Sequence, residues 1–284
     1  MEHQIAITTD STCDLSPELL KKYRITTVPL QIKLGEENHH DGVDITTDGV
    51  FDYVAKTGIL PVTSAPTPDD YIKTFERLHD SGKEIIHISF GSEMSCSHQN
   101  AVLAAQIVEG VHIIDSANLS TSSGLLVLKC ADLIAEGKDI STICSILAQT
   151  VPLVEASFVI DAVEYLHKGG RCSSVAALGA NMLHLKPCIE VHDGKMVSAK
   201  KYKGSLRRCI DHYVKDRLKG RTDIDPTRVF VTHTVQDRET VESAIDTVRA
   251  LYPFAEVLET TAGCTVSSHC GPGTLGVLFI RKEA

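Results

Sequence analysis

In the first half of the chain, short β-rich apolar runs alternate with capped amphipathic segments, which limits this half to a parallel sheet covered by helices on both faces. Gln4–Thr8 reads as a buried strand, and Ser16-Pro17-Glu18 then supplies an N-cap, a proline at the first helical position and an acid for the helix dipole. Ile25–Leu34 is a second extended run. Thr67-Pro68-Asp69-Asp70 has the capping-box pattern and opens a helix to about Asp80. Glu84–Phe90 and Val111–Asp115 are further strands, each followed by a helix, Ser97–Glu109 and about Ser120–Glu136.

Past Pro152 the pattern changes. Ser157–Ile160 and a turn over Leu166–Cys172 lead to Pro187–Val191 and Met196–Lys200, with Asp193-Gly194 between them as a hairpin signal. Leu206, Ile210, Val214 and Leu218 fall on one face of an amphipathic helix. Strand Val229–Thr232, helix Arg238–Leu251 and strands Ala255–Thr260 and Gly276–Arg281 complete an α+β unit. The expected division is an α/β domain over 1–155 and a smaller α+β domain over 156–284; 284 residues suit two cores.

Composition excludes several classes. Nine cysteines form an odd set with no CxxC pair, against a disulfide framework or zinc ribbon. Thirteen histidines show no HExxH spacing, so no metal and no cofactor is expected. A net charge of −9 argues against nucleic-acid binding. The start has no basic and apolar leader, and no apolar run approaches the ~20 residues that cross a bilayer, so a cytoplasmic protein is expected.

Enzyme motifs fail on context. Gly271-Pro-Gly273-Thr-Leu-Gly276 is a literal GxGxxG, but it precedes the last strand and opens no helix. Ser198-Ala-Lys-Lys201 matches SxxK in a hairpin strand. What stands out instead is four hydroxyl-rich loops at predicted strand ends: Thr8–Thr12, Thr63–Thr67, Ser89–Ser97 and Asp115–Gly124. Ligands of open α/β sheets bind outside such ends. Hydroxyls without a strong base suit an anion that is held more than a bond that is cut, although each loop also reads as N-caps. Arg171, after Gly169-Gly170, and His269, on the turn before Gly271, are candidate partners for that anion.

These segments, in this order, resemble the DegV family of bacterial fatty-acid-binding proteins. The resemblance rests on Asp10-Ser11-Thr12-Cys13-Asp14-Leu15, Pro29-Leu30, Thr63-Ser64-Ala65-Pro66-Thr67, Ser92-Glu-Met-Ser95, Asp115-Ser116 with Ser123-Gly124, Glu164–Arg171 and His269–Gly273. It implies a Rossmann-like first domain, a smaller α+β second domain and a long-chain fatty acid in a tunnel between them. It also implies carboxylate contacts from Thr63, Ser95, Arg171 and His269, with Ser64, Ser92, Ser97, Gly170 and Gly271 in the pocket loops. Such a protein is a non-enzymatic, monomeric carrier that presents the acid to a separate fatty acid kinase and carries off the acyl phosphate. Where the family has Leu-Ser-Gly-Thr this chain has Met94-Ser95-Cys96-Ser97, and the added Cys96 side chain is expected to narrow the head-group pocket.

The alternatives are a hydrolase or phosphotransferase built on Ser95 and His269, or a binder of another small anion. One further feature concerns partners. From Lys195 to Arg221 ten basic residues face two acids in a chain of net −9. Lys201, Lys203 and Arg207 are the expected docking residues for the kinase, with transient contact to an anionic membrane as the competitor and a solvated face as the plain reading.

Overall fold

The structure is a computed structural model and describes residues 5–172 and 185–283. Gln4, the first residue of the expected opening strand, lies outside them. Strands β1 (Ile5–Asp10), β2 (Ile25–Val28), β6 (Glu84–Ser89) and β7 (Val111–Asp115) form a parallel sheet in the order β2-β1-β6-β7. Helices α3 (Pro68–His79) and α4 (Ser97–Ala105) pack Tyr71, Phe75, Ala101 and Ala104 with Val28 and Ile85 of the sheet. Helix α1 is Pro17–Lys22; α5 (Ser120–Ala135) and α6 (Ile140–Thr150) share the other main cluster of the sheet with Ile7, Ile86 and Ile88. The Ser16 N-cap and the Thr67–Asp70 capping box are both formed.

A seven-stranded mixed sheet occupies the second half. Its path is β11 (Lys195–Lys203), β10 (Leu185–His192), β9 (Ser157–Val159), β14 (Leu275–Arg281), β12 (Ile224–His233) and β13 (Glu256–Thr261), with β8 (Val154–Glu155) pairing β14. Asp193 and Gly194 take φ 49° and 78°, the left-handed values expected of the hairpin turn between β10 and β11. Helices α8 (Leu206–Leu218) and α9 (Arg238–Leu251) bury their apolar faces on this sheet. Helix α5 is buried nearly all round because it lies between the two sheets: its cluster contains Val154, Ala156, Phe230 and Leu278.

Three expectations are corrected. Ile25–Leu34 is two strands, because Pro29 removes a ladder donor; β3 (Gln31–Leu34) leaves the parallel sheet and joins β4 (Glu37–His40) and β5 (Val62–Ser64) in an antiparallel one. The turn expected over Leu166–Cys172 begins inside a helix, α7 (Val163–Gly169), and the turn holding His269 is helix α10 (Cys264–Cys270). Neither short helix has a side-chain N-cap, the signal that marks a helix start in sequence. Helix α2 (Thr47–Thr57) completes the set.

Candidate functional site

Segments far apart in sequence close around one cavity. The loop after β6 contributes Phe90, Met94 and Ser95; the loop after β7 contributes Leu119; β5 and its exit contribute Thr63, Ser64 and Ala65. The second half contributes Leu166 and Arg171 from α7 and its exit, Met196 from β11, and Thr265, Val266, His269 and Cys270 from α10. The space between these walls opens in part to solvent. Thr63, Ser95, Arg171 and His269 therefore meet at one place.

Their bonding defines what the site offers. Thr63 Oγ1 and His269 Nε2 are hydrogen bonded at 2.8 Å. Nδ1 of His269 is buried and has no hydrogen-bond partner among the described residues. With the proton on Nδ1, the ring would bury a donor without an acceptor, and Nε2 would accept the hydrogen bond of the Thr63 O–H. With the proton on Nε2, the ring donates to Thr63 and leaves the Thr63 O–H free for a ligand oxygen. Burial, with the neighbouring Arg171 guanidinium, lowers the His269 pKa to about 4, so the ring is neutral near pH 7. Arg171 donates through Nη1 to the carbonyl of Gly169 at 2.7 Å. Gly169 itself lies against the imidazole, and a Cβ there would collide with Nδ1.

Ser95 Oγ accepts the backbone N–H of Ser97 at 3.1 Å and is bonded to Ser97 Oγ at 2.8 Å. With Ser97 as donor in that pair, the Ser95 proton is free for a ligand. Ser64 lines the cavity, but Ser92 is exposed, outside the lining, and donates its N–H to Asp115. Gly170 and Gly271 do not line it either: they close α7 and α10 with φ of 70° and 72°. A Cβ on Gly271 would come within 2.7 Å of the Tyr165 ring, so this glycine serves the packing of α7 on α10. Cys96 is exposed, at φ −77°, and absent from the lining of this cavity.

The hydroxyl-rich loops divide. Most hydroxyls of the first and fourth serve the fold: Thr8 bonds His87, Thr9 donates to the Ile88 carbonyl, Ser116 pairs with Ser123, and Ser120 donates to Asp14. Three carboxylates, Asp10 of the first loop with Asp14 and Asp41, hold the cavity walls instead. Asp10 accepts Phe90 N–H at 2.7 Å and Tyr71 O–H at 2.5 Å. Asp14 accepts Gly263 N–H, while Asp41 accepts the N–H groups of Cys264 and Thr265 and the Ser11 hydroxyl. Burial raises the Asp10 pKa to about 6, and burial with Asp41 nearby raises that of Asp14 to about 8. Sequence reading missed Asp41 and Thr265. Thr265 precedes His269 by one helical turn, a relation visible only once Cys264–Cys270 is known to be helical.

The described residues contain no group of three or more side chains able to hold a metal, and among them no helix is long and apolar enough to cross a membrane. Ser95 and His269 are not hydrogen bonded to each other, each having a different hydroxyl partner.

The family model described as "Uncharacterised protein, DegV family" matches residues 4–282. A DegV domain-containing protein of Caldanaerobacter subterraneus is 31% identical over 284 residues, covering 98% of this chain and 99% of that protein. A fatty-acid-binding DegV family protein of Thermus thermophilus has a solved structure that matches with TM-score 0.89 at 26% identity, covering 98% and 99% of the two chains. DegV of Bacillus subtilis, a fatty acid binding protein, matches with TM-score 0.82 at 26% identity and the same coverage. A stearic acid-binding protein of Eubacterium ventriosum matches with TM-score 0.84 at 25% identity, covering 98% of each chain. Matched by the family model over nearly its whole length, the chain belongs to the DegV family.

Proposed function

We propose that this protein binds a long-chain fatty acid, holding the carboxylate at Thr63, Ser95, Arg171 and His269 and the acyl chain among the apolar residues of the cavity. The observation that carries this reading is the composition of that one cavity: the hydroxyls of Thr63 and Ser95, the His269 imidazole and the Arg171 guanidinium beside Leu30, Phe90, Met94, Leu119, Leu166, Met196 and Val266. A carboxylate leaving water needs charged or hydrogen-bonding partners, which this cluster supplies. Each buried CH₂ adds about 0.8 kcal/mol, so a long chain is held tightly. The fatty acids bound by the related proteins of Thermus, Bacillus and Eubacterium support the same assignment.

On this reading the protein is a carrier. It presents the carboxylate to a separate, cytoplasmic fatty acid kinase and takes away the acyl phosphate, with the junction of 1–155 and 156–284 as the ligand channel. The one glycine-rich GxGxxG of the sequence opens no helix, and among the described residues no carboxylate sits on the free nitrogen of His269 to orient it as a general base. Denaturing extraction of the purified protein followed by mass spectrometry tests the proposal. One equivalent of a saturated or monounsaturated acid is expected. Lipid-free protein that added palmitate and oleate fail to stabilise would overturn it.

A further inference from the structure

Among the hydroxyls of the cavity wall, Thr265 is set apart. It is 3% exposed, it lines the cavity, and its Oγ1 is buried without any hydrogen-bond partner among the described residues. Thr63 is bonded to His269, Ser95 to Ser97, and Ser64 is exposed to solvent, so among the described residues the hydroxyl of Thr265 is the buried one of this wall with both its proton and its lone pairs unengaged. The reason is local. Ser268 on α10 donates to the carbonyl of Cys264, four residues back, and Ser267 donates to that of Ala262. Thr265 is the second residue of the helix, with no helical turn behind it to accept its proton. Its backbone N–H is held by Asp41, which fixes the residue in place while leaving the side chain unpaired.

Its position says what it meets. Thr265 and His269 are four residues apart on one helix and both line the cavity, so their backbone positions are about 6 Å apart along the helix axis. Its nearest cavity neighbour in sequence is Val266, and Leu119, Phe90 and Met94 complete apolar walls. A plain hydrocarbon chain passing this point leaves a buried hydroxyl unsatisfied. An oxygen atom carried on the chain a few carbons from the carboxylate satisfies it.

Resting on the fatty-acid reading above, we propose that Thr265 is a specificity-determining residue, and that the cavity selects acids bearing a hydroxyl or keto oxygen near the carboxyl end over unsubstituted ones. A site built to pair a buried polar group discriminates strongly against a ligand lacking the matching group, whereas an apolar wall does not.

The test is binding of 3-hydroxyhexadecanoate and hexadecanoate to the delipidated full chain, by displacement of a fluorescent fatty acid, for wild type, Thr265→Val and Thr265→Ser. Wild type is expected to prefer the hydroxy acid by about tenfold, the worth of one neutral hydrogen bond. Thr265→Ser, which keeps the hydroxyl, should retain the preference. Thr265→Val, of the same shape, should lose it by binding the unsubstituted acid more tightly and the hydroxy acid less. An unchanged ratio in Thr265→Val would overturn the inference, and so would an equal weakening of both ligands, which would place Thr265 on the carboxylate. If wild type bound neither acid, the fatty-acid reading itself would fall. Matching thermal melts of the three proteins exclude a folding defect as the cause.

Discussion

His269 combines two properties: a ring that burial keeps neutral, and a cationic neighbour in Arg171 that lowers its pKa further. The unfolded chain titrates its histidines near 6.5, the folded site near 4, so between these values the unfolded form holds more protons. Taken alone, the His269 equilibrium therefore costs stability on acidification from pH 6.5 to 4. Asp10 acts oppositely, since its folded pKa is raised from 3.8 to about 6 and its contribution is lost as pH rises through that interval. Comparing delipidated wild type with His269→Gln cancels the Asp10 component; the wild type should lose more melting temperature on acidification. A bound carboxylate raises the ring pKa, so loaded wild type should lose less. Ser95→Ala or Arg171→Ala should weaken ligand retention by about 1.5–3 kcal/mol, the worth of a hydrogen bond to a charged group, as read by a ligand-displacement titration. Gly169→Ala, which drives a methyl group into the imidazole, should weaken retention with the fold intact. At this scale the sequence was informative wherever a residue type was unusual for its place: a hydroxyl at a strand end, an arginine after two glycines, a histidine before one. Thr265 and Asp41 were not legible, because a threonine in a helix and an aspartate in a loop are ordinary until their partners are known.

Helix α10 depends on two buried carboxylates from the other half of the chain. Asp14 takes the N–H of Gly263, and Asp41 takes those of Cys264 and Thr265, so three N–H groups at the start of the helix that carries Thr265 and His269 are satisfied from outside it. Asp41→Ala would leave two of them buried and unpaired, and a loss of about 2–4 kcal/mol is expected in urea unfolding. Ligand retention should fall with it, because His269 would lose its fixed position over Thr63. The same helix explains why part of the secondary structure escaped the sequence reading. The parallel strands, α3, α5, α8 and α9 announce themselves by apolar periodicity or by a capping box. Helices α7 and α10 span seven residues each and are stabilised by contacts, among them Gly271 on Tyr165, that exist only in the folded chain. Pro29 was readable as a strand breaker, but where the chain goes after it is decided by pairing with β4 and β5, which are non-local.

At the scale of the molecule, the basic excess over 195–221 is largely answered by acids from elsewhere in the chain. Arg207 pairs with Glu239, Lys195 with Glu93, Arg217 with Glu155 and Glu190, and Arg221 with Glu155 and Asp223. Lys201, Lys203, Arg208 and Lys219 form no ion pair among the described residues, and Lys201, Lys203 and Lys219 share one groove with His212 and Lys215. The steering field proposed for a kinase thus narrows to this groove, and Arg207 contributes less than its charge implies. Lys201→Glu with Lys203→Glu should slow acyl-phosphate formation and flatten its salt dependence, while fatty-acid binding is unchanged; equal rates in the double variant would return the groove to solvent. Segment charge was legible in the sequence, whereas its neutralisation across tertiary contacts was not. The largest-scale consequence comes from α5, buried between two sheets, with Thr121 bonded to Thr232 and Thr232 in turn to Thr260. The two halves share their interior, so calorimetry should show one melting transition and neither half should persist alone. On the fatty-acid reading, a ligand does not enter by parting the halves like a hinge, because that would tear open the interior that keeps each of them folded. The same bond constrains descent: a chimera that exchanged one half for a relative's would have to bring the matching surface of the other, so the halves are bound to be inherited as a pair.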